Sequence, residues 1–266
     1  MYYYLYDTFL SDNKYQKTLH RIENRLVDLG IDGKIGRLSM MMNVEKLLNE
    51  EIKKGAKTIV AVGNNNTIDK IINIAAAEKI TVGVIPVGEN NEIAEILGIP
   101  PMDLACDILS RRRVKKIDLL KINRRYYILN LKMDADKNIE IVCEDKYKVK
   151  LTAKKGEIYI YNLVNKEYIK NNFKFKKSIE NFFSPQDKMF DIVINPTDTS
   201  LANNLLKIFR RKQAGGATLI PGKKIKISAK KIVSAVCDNN NVVKTPLDIK
   251  IVPQVLKIIV GKNRKF

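Results

Sequence analysis

The chain opens with a short aromatic and apolar run, Tyr2–Tyr6, that reads as a strand. The period then changes. Leu19, Ile22, Leu26 and Leu29 recur at helical spacing, Ser11 or Asp12 can cap the helix, and Gly30 stands where a helix-ending glycine belongs. A short strand is predicted near Lys34–Leu38. A second helix is predicted over Val44–Lys54, with Leu47, Leu48 and Ile52 inward and Gly55 at its end. Thr58–Val62 and Ile80–Val87 are near-continuous apolar runs, as strands buried on both faces should be. Thr67–Glu78 presents Ile68, Ile71, Ile72 and Ala75 on one helical face, and Asn91–Leu97 forms a helix closed by Gly98. This alternation predicts an α/β domain, a parallel sheet with helices on both faces.

After about Leu119 the pattern becomes short and strand-like. Runs at Tyr126–Lys132, Ile139–Cys143, Lys148–Ala153, Ile158–Leu163, Phe190–Ile194, Lys224–Ile227, Ile232–Cys237, Ile249–Val252 and Leu256–Val260 suggest a β-rich sandwich or barrel. Ser200–Lys212 is the one clearly helical stretch. Asn clusters at 64–66, 90–91, 171–172 and 239–241 read as turns, because Asn tolerates left-handed backbone. The expected division is an α/β domain over 1–120, completed by about 246–266, and a β-rich domain over 121–245.

Charge sharpens that division. Residues 1–120 carry 17 basic and 16 acidic side chains, whereas residues 121–266 carry 31 and 13. The second region therefore holds +18 of the net +19 and should face something anionic: lipid headgroups, a phosphorylated ligand or nucleic acid. Basic and aromatic residues interleave through Tyr168–Phe183, which suits a membrane interface or stacking on single-stranded nucleic acid. Arg111–Lys116 is a compact basic run that either steers an anion or merely connects domains. One histidine, His20, excludes a His-rich metal site, and three scattered cysteines form no disulfide framework or zinc spacing. A reducing, cytoplasmic setting fits, with no apolar run long enough to cross a bilayer.

The chemistry concentrates between Thr58 and Pro100. Two strand–turn–helix units follow one another, each with a glycine at the strand end (Gly63, Gly88) and an Asn-rich turn. Two helix N-termini aimed at one crevice, each with unpaired N–H groups, would make a phosphate site.

These blocks resemble the diacylglycerol kinase catalytic-domain family, which includes bacterial lipid kinases and sphingosine kinases. Pro86-Val-Gly-Glu-Asn-Asn-Glu-Ile-Ala94 and Leu97-Gly-Ile-Pro100 match the family's second nucleotide block, and Gly63-Asn64-Asn65-Asn66-Thr67 matches its Gly-Gly-Asp-Gly-Thr loop at the ends. Lys116–Asn130 resembles the family's crossing into its β-rich domain. Ser184–Asp191 resembles its Asp-Gly-x-Phe-Asp segment, Val236–Asn240 falls where it has Asp-Gly-Glu, and Pro253–Val260 resembles the returning strand. The resemblance implies an NAD-kinase/diacylglycerol-kinase-like fold, ATP and Mg²⁺ as cofactors, and phosphoryl transfer to a lipid hydroxyl. It places nucleotide contacts at Gly63, Asn64, Asn65, Asn66, Thr67, Gly88, Glu89, Asn90 and Asn91. It places catalytic positions at Asn65, Asp238 and Asn240, and a structural metal at Asp187 and Asp191.

Three departures matter. Asn64 and Asn66 replace glycines, Asn65 replaces the loop Asp, and Asn240 replaces the base Glu. Asn lacks the charge that favours Mg²⁺ and cannot take a proton from a hydroxyl. Asp7–Ser11 also stands where the family has Asn-Pro-x-Ser-Gly. The expectation is a lipid-kinase-like protein with weakened or lost transfer. One alternative is a working kinase that uses a substitute carboxylate, Asp238 or Glu92. Others are an NAD-kinase-like phosphotransferase and a nucleic-acid-binding module built on the basic domain. The expected partners are an anionic membrane surface at the inner leaflet or a lipid substrate, a nucleotide, and a second copy in a homodimer.

Overall fold

A computed structural model describes residues 1–39, 41–149, 151, 154–175, 178–197, 216–238 and 241–266. The chain forms two compact units, Met1–Ile117 with Gln254–Phe266, and Asp118–Pro253.

The first unit contains β1 (Tyr2–Tyr6), α1 (Gln16–Asp28), β2 (Gly33–Arg37), α2 (Val44–Lys53), β3 (Thr58–Gly63), α3 (Asn65–Glu78), β4 (Thr81–Pro86), α4 (Glu92–Ile96), α5 (Leu104–Arg111) and the start of β5 (Val114–Ile122). Its parallel sheet runs β2-β1-β3-β4, and the end of the last strand, β16 (Leu247–Ile259), pairs parallel to β4 at Lys257 and Ile258. Every residue of β3 and β4 is buried, which accounts for their uninterrupted apolar runs. Tyr3, Tyr4 and Tyr6 of β1 also lie in the core, and the Tyr4 hydroxyl donates to the carbonyl of Ile31. Helix α1 starts at Gln16, later than expected. Asp7 and Asp12 cap two short 3-10 turns instead, accepting from the N–H groups of Thr8 and Lys14. Helix α5 was not anticipated. It has no side-chain cap, and it ends on Arg112 in left-handed conformation rather than on glycine. The basic run is thus divided between the end of α5 and β5, and the Arg112 guanidinium lies over the Tyr2 ring.

The carboxyl-terminal segment docks by a close backbone approach. Gly261 N–H donates to Leu97 O and Lys265 N–H to Ile96 O, at 2.9 and 2.8 Å. A Cβ on Gly261 would lie 1.8 Å from the carbonyl oxygen of Gly98.

The second unit contains the rest of β5, β6 (Arg125–Tyr127), β7 (Asn130–Asp136), β8 (Ile139–Cys143), β9 (Tyr147–Val149), β10 (Lys155–Tyr161), α6 (Lys166–Asn172), β11 (Phe190–Pro196), β12 (Thr218–Gly222), β13 (Lys224–Ala229), β14 (Ser234–Cys237), β15 (Asn241–Lys244) and the first part of β16. One antiparallel sheet runs β12-β11-β10-β7-β14-β15, and a second ladder runs β16-β13-β8-β9. Inward side chains of both, among them Met133, Ile158, Ile192, Ile141, Ile225 and Ile249, form one core. The unit is therefore a sandwich, as the strand spacing suggested.

Several elements differ from expectation. The runs at Ile249–Val252 and Leu256–Val260 belong to the single strand β16, because Pro253 and Gln254 (φ 50°) disturb the alternation without ending the strand. The expected strand Tyr126–Lys132 is split into β6 and β7, because the N–H groups of Ile128 and Leu129 turn to a side chain. Asn65 and Asn66 begin α3 rather than forming a turn, whereas Asn90 does take the left-handed conformation. Asn171 and Asn172 end α6. The predicted helix Ser200–Lys212 and part of the run Lys148–Ala153 lie outside the described residues. In the basic–aromatic stretch, Phe173 and Phe183 pack with Ile169, Ile179, Tyr161 and Val193 in a second core, and Phe175 and Phe182 pack against it. Those rings are therefore committed to the interior. His20 is exposed, and all three cysteines are buried and free. Among the described residues no helix is long and apolar enough to cross a membrane.

Substituting Gly261→Ala should force the terminal segment off Gly98. We expect a loss of about 1–3 kcal/mol, the usual range for overpacking, read as a lower urea midpoint at unchanged slope.

Candidate functional site

In the first unit the two βα turns meet through side chains. Gly63 ends β3 with φ 152°, and a Cβ there would lie 2.2 Å from Thr67 Oγ1. Asn64 is extended (φ −118°, ψ −167°), so it needs no left-handed backbone. Its side chain accepts from Asn66 N–H at 3.0 Å, and Thr67 Oγ1 accepts from Asn64 N–H at 3.1 Å, closing a capping box. Thr67 in turn donates to Asp7 Oδ2 at 2.7 Å, and Lys70 Nζ lies 3.0 Å from the same oxygen.

Asn65 is 5 % exposed and ties the two turns together. Its N–H donates to Asn90 O at 3.0 Å, and its Oδ1 accepts from Ile93 N–H, in the first turn of α4, at 3.1 Å. Its Nδ2 is buried without a partner. Across the second turn, Asn91 Nδ2 donates to Gly88 O at 2.8 Å. The sequence led us to expect unpaired N–H groups at the start of α3, but Asn90, Asn64 Oδ1 and Asn64 O already take those of Asn65, Asn66 and Thr67. That start does not offer the N–H cradle that nucleotide phosphates require.

A cavity of about 650 Å³ opens beside these turns, lined by Phe9, Lys14, Tyr15, Asn64, Glu89 and Asn90 among others. The Phe9 and Tyr15 rings meet edge to face, with centroids 5.4 Å apart. Phe9 lies so close to Gly88 (φ 79°) that a Cβ there would come within 3.1 Å of the ring. Sequence reasoning missed Asp7, Lys70 and the aromatic loop residues. The available signal was position: Asp7 directly follows the carboxyl end of a buried strand, where α/β folds place their sites.

In the second unit, Asp238 is buried, and its carboxylate accepts three backbone hydrogen bonds. These come from Ile128 at 2.7 Å, Leu129 at 2.9 Å and Asn130 at 3.1 Å. Asn162 Nδ2 bridges the carbonyls of Asp118 and Ile128 at 2.9 and 2.8 Å. Asp118 Oδ2 accepts from Lys188 N–H, Asp187 Oδ1 from Met189 N–H and Asp191 Oδ2 from Phe183 N–H, at 2.7, 2.9 and 2.6 Å. Burial raises the pKa of Asp187, and Asp118 adds to the effect. Burial pushes Asp191 up to about 7, with the charge of Asp187 adding. Among the described residues no group of three or more His, Cys, Asp or Glu side chains is arranged around a metal position. Asn240 lies outside the described residues. Glu92 is the first residue of α4 and is partly exposed.

An α/β unit with paired βα turns and an antiparallel sandwich is a fold shared with solved diacylglycerol kinases. Residues 3–122 match the profile of the diacylglycerol kinase catalytic domain. The chain is 25% identical over 133 residues to a Yersinia enterocolitica protein named lipid kinase YegS-like, covering 48% of this chain and 45% of that one. A diacylglycerol kinase of Bacillus subtilis is 38% identical over 74 residues, 24% of its length, so the chain matches less than half of either relative. A Staphylococcus aureus protein named as a lipid kinase is 21% identical over 257 residues, 81% of each chain. A solved Bacillus anthracis diacylglycerol kinase superposes with TM-score 0.76 over 99% of this chain and 97% of its own, at 16% identity, which speaks to fold. Residues 3–122 are thus similar to the diacylglycerol kinase catalytic domain, and the chain as a whole shares the fold of solved diacylglycerol kinases.

Two outcomes follow from the second-unit geometry. Asp238→Asn turns an amide N–H₂ toward backbone donors and should cost about 1–3 kcal/mol in a urea melt. A residue serving only in proton transfer would leave stability unchanged. Asp191 is harder to ionise in the folded chain than in the unfolded one. Between the ordinary Asp range and about pH 7 the folded state therefore binds more protons, and stability should fall as pH rises. Melts in chelator at pH 5 and pH 7.5 should show this slope, and Asp191→Asn should flatten it.

Proposed function

We propose that the chain retains the lipid-kinase fold and its engagement of lipid at an anionic membrane surface, while ATP-dependent phosphoryl transfer to a lipid hydroxyl is weakened or lost. The observation that carries this reading is the state of Asp238. It is the carboxylate nearest in sequence to Asn240, which stands where the family has its base, and it accepts three backbone N–H bonds. A group engaged in that way is poorly disposed to receive a proton from substrate. Asn65 supports the same reading, because its oxygen is occupied by Ile93 N–H and it brings no charge to a metal–nucleotide complex.

The two cofactors fare differently. The start of α3 does not fit nucleotide phosphates, so no step is derived through ATP. Asp187 and Asp191 fit Mg²⁺ better. Asp187 and Asp191 would hold it, since a cation would offset the burial that raises their pKa, and Mg²⁺ keeps several waters and needs few protein ligands. In this reading Mg²⁺ stabilises the second unit, on the cytoplasmic side of the membrane.

The test is transfer of labelled γ-phosphate from Mg·ATP into a chloroform-soluble product, with whole-lipid extract and diacylglycerol in mixed micelles. The parent chain should show no transfer above a heat-killed control. The double substitution Asn65→Asp with Asn240→Glu should also leave transfer at background, because the N–H groups at the start of α3 stay engaged. Mg²⁺-dependent transfer by the parent would overturn the proposal in favour of a working kinase. Separately, Mg²⁺ should raise the melting midpoint of the parent more than that of Asp187→Asn.

A further inference from the structure

We infer that the outward face of the β14–β15 hairpin, with its lead-in at Lys230–Ile232, is the surface by which the chain docks on an anionic lipid bilayer. The inference rests on the lipid reading above and assigns it a place. Scattered exposed apolar residues mean little, but adjoining ones on a single face mean more. Among the described residues of the second unit, five large apolar side chains are exposed, and three of them lie here: Ile232 at 76 %, Val242 at 63 % and Val236 at 37 %.

The strand geometry gathers them. Ala235 and Cys237 point into the sandwich core, so Ser234 and Val236 face outward. Val236 lies directly opposite Val242, and Ser234 directly opposite Lys244. Val233 continues this pairing beside Thr245: its carbonyl accepts from Thr245 N–H and its N–H donates to Thr245 Oγ1, both at 3.0 Å, and its side chain packs against the core, so Ile232 shares the outward parity. β15 forms the edge of its sheet, so no further strand of the described chain covers that side. Exposed β-branched residues on a sheet edge are a liability unless something uses or guards them.

Lys230, Lys231 and Lys244 border this strip; all three are exposed, and none forms an ion pair among the described residues. Four other lysines of the unit are ion-paired, Lys132 with Glu157, Lys148 with Glu140, and Lys224 and Lys226 with Asp145. A strip of short apolar side chains bordered by unpaired lysines complements a bilayer with anionic headgroups. The aliphatic tips enter the acyl boundary, and the ammonium groups stay among the phosphates. Nucleic acid would instead call for exposed aromatic rings within the strip, and the exposed rings of this unit, Tyr147 and Tyr168, lie outside it.

The chain contains no Trp, so Ile232→Trp supplies a single reporter in the full-length protein. With vesicles of phosphatidylcholine and phosphatidylglycerol, and no nucleotide present, its emission should shift to the blue. Tyr147→Trp, exposed elsewhere on the same unit, should stay unshifted. In vesicle sedimentation, the pair Ile232→Ser with Val242→Ser should weaken binding on the order of tenfold. The pair Lys230→Gln with Lys231→Gln should do the same and abolish the preference for anionic over neutral vesicles. The inference fails if the Ile232→Trp emission ignores vesicles, or if both pairs of substitutions leave sedimentation unchanged. It also fails if the emission shifts with protein concentration alone, which would make the face a contact between copies, or with single-stranded RNA rather than lipid. None of these results depends on phosphoryl transfer, so the kinase reading stands or falls separately.

Discussion

Asn65 holds the first unit's site in shape. Its backbone N–H reaches Asn90 O and its side-chain oxygen reaches Ile93 N–H, so one residue at the start of α3 fixes both the loop and the helix that follow β4. These bonds stand beside an otherwise unpartnered Nδ2. A carboxylate here could make the same contact to Ile93 through one oxygen and present a second, charged oxygen where Nδ2 now lies. The carboxamide keeps the clasp and gives up the charge. The paired-turn architecture therefore needs a hydrogen-bonding side chain at position 65 but not a charged one.

The second unit shows the same separation of structure from chemistry. Asp238 lies about 110 residues along the chain from the backbone it holds. By accepting from Ile128, Leu129 and Asn130, it ends one strand and starts the next. Buried N–H groups without partners would be costly, so this carboxylate has a structural reason to persist whatever becomes of catalysis. Asn162 works alongside it, bridging the carbonyls of Asp118 and Ile128. Asp187 and Asp191 each accept a backbone N–H, and burial raises the pKa of both, with the charge of Asp118 adding at Asp187 and that of Asp187 adding at Asp191.

The uneven charge has a local as well as a global meaning. Four lysines of the sandwich are ion-paired, and exposed pairs of this kind contribute little to stability. The lysines flanking the exposed apolar strip form no ion pair among the described residues. The interleaved basic–aromatic stretch, which by composition was the stronger membrane signal, is anchored by rings packed against the sheet.

The sequence by itself determined the order and type of most first-unit elements, because strands buried on both faces and helices with one apolar face leave direct periodic traces. It also pointed to the sandwich class of the second unit and, through Gly63–Thr67 and Pro86–Pro100, to the similarity with the diacylglycerol kinase catalytic domain. It did not reveal α5, which lacks a capping side chain and a terminal glycine, nor the continuity of β16 through Pro253. Nor did it reveal what the candidate site residues do. Asn65, Asp7 and Asp238 all look available in the sequence, yet each is engaged by donors 28 to 110 residues away. A hydrogen bond has a direction set by the tertiary positions of both partners, and no local period or spacing records it. Only the folded chain decides which polar groups hold the structure and which are left to act.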